Sequence, residues 1–259
     1  MWAAASLLPV VYMLSASMQS TQEIYAGVRL LPASWHWENY TQAWRQASFG
    51  TYLGNSVLYT ATATIGVLLV SSCAAYAFSR LRFPGRNLIY STLLVFLFIP
   101  VPGAFIPLYV VLVRLGLVDT RLGYILPLVN SCLPVAVFIL RRFFDELPRE
   151  IEEAAQVDGA GRLSVYWRIA LPLARPAIAT VAILTILSCW NEFVLALVVF
   201  SDAGKMPLQV GLQTFQGTYF ANYGLMMAAL SITTVPVVLA YLAFQRFIIR
   251  GIMAGAVKG

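Results

Sequence analysis

The stretch YLGNSVLYTATATIGVLLVSSCAAYAF, residues 52–78, contains no acidic or basic side chain. A helix needs about 20 apolar residues to cross the hydrocarbon core of a bilayer, at 1.5 Å per residue. Residues 52–78 exceed that length. Their apolar positions run continuously, where the strands of a membrane barrel alternate and last only about 9–11 residues. Backbone groups in lipid must bond within the segment, so the reading is a transmembrane α-helix.

Five further apolar runs flank it, at Ala3–Met18, Leu88–Val113, Leu122–Leu140, Ala177–Phe200 and Gly224–Phe247. Together they predict an all-α, polytopic membrane helix bundle of about six spans. Ala3–Met18 is short, and no charged residue precedes it. A secretory signal peptide carries a basic n-region, so this run reads as a first span, with the true start of the chain expected upstream. Small residues (Ser71, Ala75 and Ser79 in the second span, Ala228, Ser231 and Thr233 in the sixth) permit close helix approach. Pro100, Pro102, Pro107, Pro134 and Pro236 fall inside spans, where each removes a backbone donor and predicts a kink or a broken turn.

The composition agrees. Sixty per cent of the 259 residues are hydrophobic, mean hydropathy is +0.77, and 11% are charged, against roughly 25% in an ordinary soluble domain. The net charge of +6 sits in a few loops and makes no basic face for nucleic acid, which is excluded as a partner. Cys73, Cys132 and Cys189 each lie in an apolar run and are expected to be buried thiols acting as small hydrophobes. They form no metal motif.

Basic residues orient the bundle. Arg80, Arg82 and Arg86 share one loop; Arg141, Arg142, Arg149, Arg162, Arg168 and Arg175 share another; Arg246, Arg250 and Lys258 are in the tail. These are twelve of the seventeen. By the positive-inside rule these segments are cytoplasmic, and both termini lie inside. Residues 19–50 and 201–223 then face outward. There Trp35 and Trp37 suit an interfacial anchor beside His36, the only histidine in the chain.

The longest cytoplasmic loop begins RRFFDELPREIEEAAQVDGAGRLSVYWRIALPLARPAI, residues 141–178. Pro148 suits the start of a helix, Glu150, Glu152 and Glu153 favour its positive end, and Gly159 is a natural stop. A short helix is expected over Arg149–Asp158, and a second helical stretch near Leu163–Ile169. Ile151, Ala154 and Ala155 give the first a small apolar face. On physical grounds that face fits either a groove in a partner protein or the bilayer surface.

The spacing Glu153-Ala154-Ala155, three residues, Gly159, nine residues, Ile169-x-Leu171-Pro172 resembles the EAA loop of ABC importer permeases. Leu31-Pro32 with Asn39-Tyr40, Asn55-Ser56, Trp190-Asn191-Glu192-Phe193 and the tail Ala254-Gly255-Ala256-Val257-Lys258-Gly259 are similar to the carbohydrate-uptake branch, in particular its MalG-like subunits. The resemblance covers nearly the whole chain. It departs from the family at the N-terminus, which lacks basic residues. It implies one permease domain over residues 1–259, with an EAA loop at about 141–176 and a cytoplasmic tail at about 248–259. It further implies that the loop forms a coupling helix docked in a cleft of an ATP-binding subunit. Glu153, Ala154, Ala155, Asp158, Gly159, Ile169, Leu171 and Pro172 would then serve ATPase coupling. The implied partners are an ATP-binding dimer, a second homologous, MalF-like permease and an extracytoplasmic solute-binding protein, all in or at the plasma membrane.

Glu192 is the only acidic residue in a predicted span, and a charge at mid-bilayer costs roughly 2.5–3.5 kcal/mol on insertion scales. With Trp190 and Asn191 it suits an interhelical clasp, a sugar contact through hydroxyls and ring stacking, or a gate. No GxxxxGK[ST] loop occurs, so the chain is expected to hold no ATP and no cofactor of its own. An ion-coupled secondary carrier is the alternative, though one glutamate makes a thin relay. HExxH and GxSxG are missing, and no nucleophile–base pair lies in the spans, which argues against an enzyme.

Overall fold

The computed structural model describes residues 2–46, 48–98, 104–215 and 222–256. In chain order the helices are α1 (Trp2–Ala16), α2 (Thr21–Ala26), α3 (Glu38–Gln46), α4 (Phe49–Arg80), α5 (Arg86–Val95) and α6 (Phe105–Arg114). They continue with α7 (Arg121–Glu146), α8 (Arg149–Val157), α9 (Arg162–Val165), α10 (Leu171–Leu173) and α11 (Arg175–Asn191). The last are α12 (Val194–Val199), α13 (Leu208–Gly211) and α14 (Tyr223–Ala256). Among the described residues there is no β-strand. The fold is all-α.

Residues 52–78 lie inside α4, whose 32 residues exceed what the hydrocarbon core requires. Among the described residues α7 is the other helix that is long and apolar enough to cross by itself, and the bent pair Arg162–Leu173 and Arg175–Asn191 makes a third candidate. Two of the apolar runs are more broken than the sequence suggests. Leu88–Val113 is divided between α5, a 3₁₀ turn at Phe96–Phe98 and α6, with Pro100 and Pro102 outside the described residues. Ala177–Phe200 stops at Asn191 and resumes at Val194. α11 follows the preceding helical stretch at an angle of 73°. By contrast, α7 runs through Pro134 and α14 through Pro236 without interruption. Pro107 sits in the first turn of α6, where no helical bond to its nitrogen is needed. The break after Asn191 lies away from any proline, whereas the 73° bend falls at Ala174, between Pro172 and Pro176.

The chain divides into two compact units, residues 1–58 with 190–240, and residues 59–189 with 241–259. In the first, Phe49, Tyr52, Trp190, Leu208, Leu225, Ala228 and Ala229 form the buried core. Side-chain amides tie its loops. Asn39 Nδ2 donates to the carbonyls of Ser17 and Gln19, both at 3.0 Å. Asn55 Nδ2 donates to the carbonyls of Gly204 and Met206 at 2.8 and 3.1 Å. Ser56 Oγ accepts the Leu208 amide at 2.7 Å. His36 and Glu38 pair at 2.6 Å, and the hydrogen bond from His36 holds the Glu38 carboxyl below its usual range. Trp35 and Trp37 stack at 5.9 Å and are both exposed.

In the second unit α4, α7 and the segment after α9 enclose Val67, Ala75, Tyr76, Val137, Leu140, Phe144, Tyr166 and Ala170. Ser71, Ala75 and Ser79 are buried, as are Ala228, Ser231 and Thr233 in the first unit. Ile65, Leu69 and Val70 on α4 and Leu122, Leu126 and Phe138 on α7 are exposed. Such faces are stable where lipid is the solvent. The three cysteines differ from their common expectation, since only Cys189 is buried and Cys73 is exposed. A thiol that behaves as a small hydrophobe needs no burial on a lipid-facing surface.

α7 starts where Thr120 Oγ1 accepts the Gly123 amide at 3.0 Å. This cap brings the Leu117 carbonyl against Gly123 so closely that a β-carbon there would overlap it. Gly123→Ala is expected to destabilise the protein by about 1–3 kcal/mol. Gly54 meets open space, so Gly54→Ala is expected to be neutral or to stabilise by about 0.5–1 kcal/mol through helix propensity. Thermal unfolding of the detergent-solubilised protein compares the two.

Candidate functional site

The segment between α7 and α11 carries the EAA spacing. Pro148 precedes α8, and Glu150 and Glu152 lie in its first turn. Gly159, at φ +87°, ends it. The Gly159 amide donates to Gln156 O at 3.0 Å and the Ala160 amide to Ala155 O at 2.9 Å, the two bonds of a Schellman cap. After α9 the chain forms a π-helical turn at Tyr166–Ala170, then α10.

α8 is fastened on one side. Glu152 is buried. Its Oε1 accepts Arg80 Nε at 2.7 Å, with both side chains 8% exposed. Its Oε2 accepts the Tyr76 hydroxyl at 2.9 Å. Arg80 Nη2 also donates to Leu147 O at 2.8 Å, and Ser79 Oγ donates to Asp145 Oδ1 at 2.6 Å. A buried pair of this kind, with its remaining polar atoms bonded, costs about 3–5 kcal/mol to break from one side. Beneath it the Tyr76 ring meets Phe144 edge-on at 5.5 Å and Tyr166 at 5.1 Å. The Tyr166 hydroxyl bonds Ser72 Oγ at 2.8 Å. The end of α4 thus holds α8 and the π-helical turn together.

The other side of α8 has no cover among the described residues. Val157 is 87% exposed, about 140° around the helix from Glu152, and Ile151, Leu163 and Trp167 are also exposed. Of the residues the motif singles out, Glu153, Ala154, Asp158 and Gly159 are exposed and Ala155 is half-buried. Ile169 and Pro172 are half-buried, and Leu171 packs on the core of the unit. The motif therefore divides into an exposed part and an anchoring part. The sequence reading gave the three glutamates one role at the helix start, and missed that Glu152 turns inward to Arg80. The signal for it was an arginine closing a long apolar run.

Trp190, Asn191 and Glu192 belong to the other unit. Trp190 is buried in its core, Asn191 ends α11 and is exposed, and Glu192 Oε1 accepts the Leu195 amide at 2.8 Å. Glu192 thereby caps α12 across the break.

Comparison with known proteins agrees with these features. Residues 66–253 match the family described as binding-protein-dependent transport system inner membrane component. The diacetylchitobiose uptake system permease protein NgcG of Streptomyces coelicolor is 39% identical over the whole of this chain and 86% of its own length. The trehalose/maltose transport system permease protein MalG of Thermococcus litoralis is 34% identical over 98% of this chain and 92% of its own. A crystal structure of a bacterial ABC transporter that imports the acidic polysaccharide alginate contains a chain matching at a TM-score of 0.83. That match has 26% identity and covers 95% of this chain and 91% of the other. The chain belongs to the family of binding-protein-dependent transport inner membrane components, the permease subunits of ABC importers.

Proposed function

We propose that this permease forms half of the translocation pathway for a sugar or oligosaccharide, and that α8 is the coupling helix that receives the stroke of an ATP-binding subunit. One observation carries the reading. α8 is fastened by the buried Glu152 and bare on the side of Val157, as expected of a part that transmits force between two bodies. An interfacial helix would instead turn its apolar face to lipid. Glu153, Ala154, Ala155, Asp158 and Gly159 form the docking surface, with Ile169, Leu171 and Pro172 seating it on the bundle.

The substrate class rests on the relatives, whose names include diacetylchitobiose and trehalose/maltose uptake. The rest of the assembly follows from the family. An ATP-binding dimer hydrolyses ATP, a second permease resembling MalF completes the pathway, and a solute-binding protein delivers the sugar from outside. This chain brings no cofactor. The six apolar runs are its spans, its two termini are cytoplasmic, and residues 248–259 reach toward the ATP-binding dimer. Residues 257–259 of that tail lie outside the described residues. Trp190, Asn191 and Glu192 mark the polar break of the fifth span, as a clasp toward the second permease or as lining of the sugar path.

In a background with Cys73, Cys132 and Cys189 replaced by alanine, Val157→Cys and Leu163→Cys are expected to cross-link to the ATP-binding subunit. An impermeant maleimide is expected to reach Trp35→Cys from outside, and Val157→Cys only in inverted vesicles. Labelling of Val157→Cys from outside, or no cross-link at either position, would refute the proposal. Uptake that follows a proton gradient and ignores ATP would favour the ion-coupled carrier.

Gly159→Ala places a side chain at φ +87° with no neighbour within 4 Å, so its effect is on the backbone alone, roughly 1–2 kcal/mol. Uptake is expected to fall more than ATP hydrolysis, because the end of the docking helix shifts. Both rates measured in proteoliposomes check this.

A further inference from the structure

The Arg80–Glu152 pair sits apart from the docking surface and would touch neither nucleotide nor sugar. Its surroundings are built with care. Both carboxylate oxygens of Glu152 have a partner, Oε1 from Arg80 and Oε2 from Tyr76. Arg80 spends a second nitrogen on the carbonyl of Leu147, the residue between α7 and Pro148. Asp145, at the end of α7, takes the hydroxyl of Ser79. Three successive parts of the chain (the last turn of α7, the Leu147 link and the first turn of α8) are thus bonded to the last turns of α4. α8 meets the rest of its unit here through charge-assisted bonds, which are short, directional and stronger than neutral ones.

A fold that needed only adhesion could use apolar packing, since replacing a buried ion pair by residues of similar volume is often neutral or stabilising. Directional bonds differ in that they resist sliding and rotation. A coupling helix packed only by hydrophobic contact could roll when pushed, and the push would be lost. A helix bonded through a carboxylate to a guanidinium and a phenol carries α4 along with it.

We propose that Arg80 and Glu152, aided by Tyr76, are positioning residues that convert displacement of α8 into movement of α4, and so set how much transport each ATP yields. This rests on the reading of α8 as the coupling helix. The pair acts through the helix it holds and has no part in hydrolysis itself.

The test uses the complete importer in proteoliposomes, with uptake and ATP hydrolysis measured together and the Val157→Cys cross-link to the ATP-binding subunit followed in every variant. The double variant Arg80→Met with Glu152→Met removes both charges at similar volume. It is expected to assemble and cross-link like the parent, yet to yield about tenfold less solute per ATP, the scale of one charge-assisted bond. Tyr76→Phe keeps both charges and the ring packing. It is expected to lower the yield roughly two- to threefold, the scale of a neutral bond. The ratio is decisive, because a purely structural role would lower uptake and hydrolysis together and leave solute per ATP unchanged. A parental ratio in both variants, with the cross-link intact, overturns the proposal and leaves the docking of α8 standing. Should the double variant fail to assemble, Tyr76→Phe decides alone, and a parental ratio there overturns the proposal. Absence of the cross-link in the parent removes the docking reading and this one with it.

Discussion

Inside hydrocarbon every backbone N–H and C=O must find its partner in protein, because no water is there to take it. Long helices meet this condition along their length and violate it at each end and break. The structure supplies a side chain at several helix ends, in the spans and in the segments between them alike. Thr120 takes the Gly123 amide, Glu192 takes the Leu195 amide, Asn222 takes the Leu225 amide at 3.2 Å, and Ser56 takes the Leu208 amide. Asn55 does the converse for two carbonyls. Polar residues in this apolar chain are thus placed where continuity of the helix fails.

That constraint also explains what could be read in advance. Residues 52–78 are long, uncharged and free of proline, so α4 was legible, and α7 nearly so. The loop helix was legible from local chemistry, because Pro148 and Gly159 bracket it and the Schellman bonds follow from the glycine. The breaks were less legible. Prolines drew attention to Pro134 and Pro236, yet helices pass through both, while the chain breaks beside Glu192, where a carboxylate can hold the next amide. Hydropathy averages over a window and cannot see one side chain satisfying one amide. The inward turn of Glu152 was hidden for a related reason. Glu150, Glu152 and Glu153 look alike in sequence, and only tertiary contact with Tyr76 and Arg80, more than seventy positions earlier, distinguishes them.

The resemblance motifs gain physical content from the same contacts. Asn39 and Asn55 are amide staples between separated loops, and Leu171 anchors its segment on the core. Gly159 is required by its left-handed backbone, while Ala154 leaves room on an exposed face. The motif therefore combines two demands. One part must be held by this chain, and the other must stay uncovered. Exposed apolar side chains such as Val157 on α8 and Leu163 on α9 are costly in water, and either a partner protein or the bilayer surface would relieve that cost.

Arg80 connects this loop to the membrane argument. By count it belongs to the basic residues from which the cytoplasmic side was inferred, yet in the fold it is 8% exposed and bound to Glu152. Arg141 and Arg142 are likewise paired along α7, with Asp145 and Glu146, and Arg141 lies over the Tyr90 ring at 3.8 Å. These charges act twice, at different times. During insertion, before tertiary contacts exist, each is a hydrated cation that resists translocation, and acidic residues contribute little to that choice. After folding, Arg80 and Arg141 are largely withdrawn from solvent and would be costly without a carboxylate, while Arg142 stays exposed. Glu152 and Asp145 can therefore neutralise Arg80 and Arg141 in the folded chain without cancelling a positive-inside signal, which acts before folding. In the fold, the arginine that closes the long apolar run of α4 is an anchor for α8.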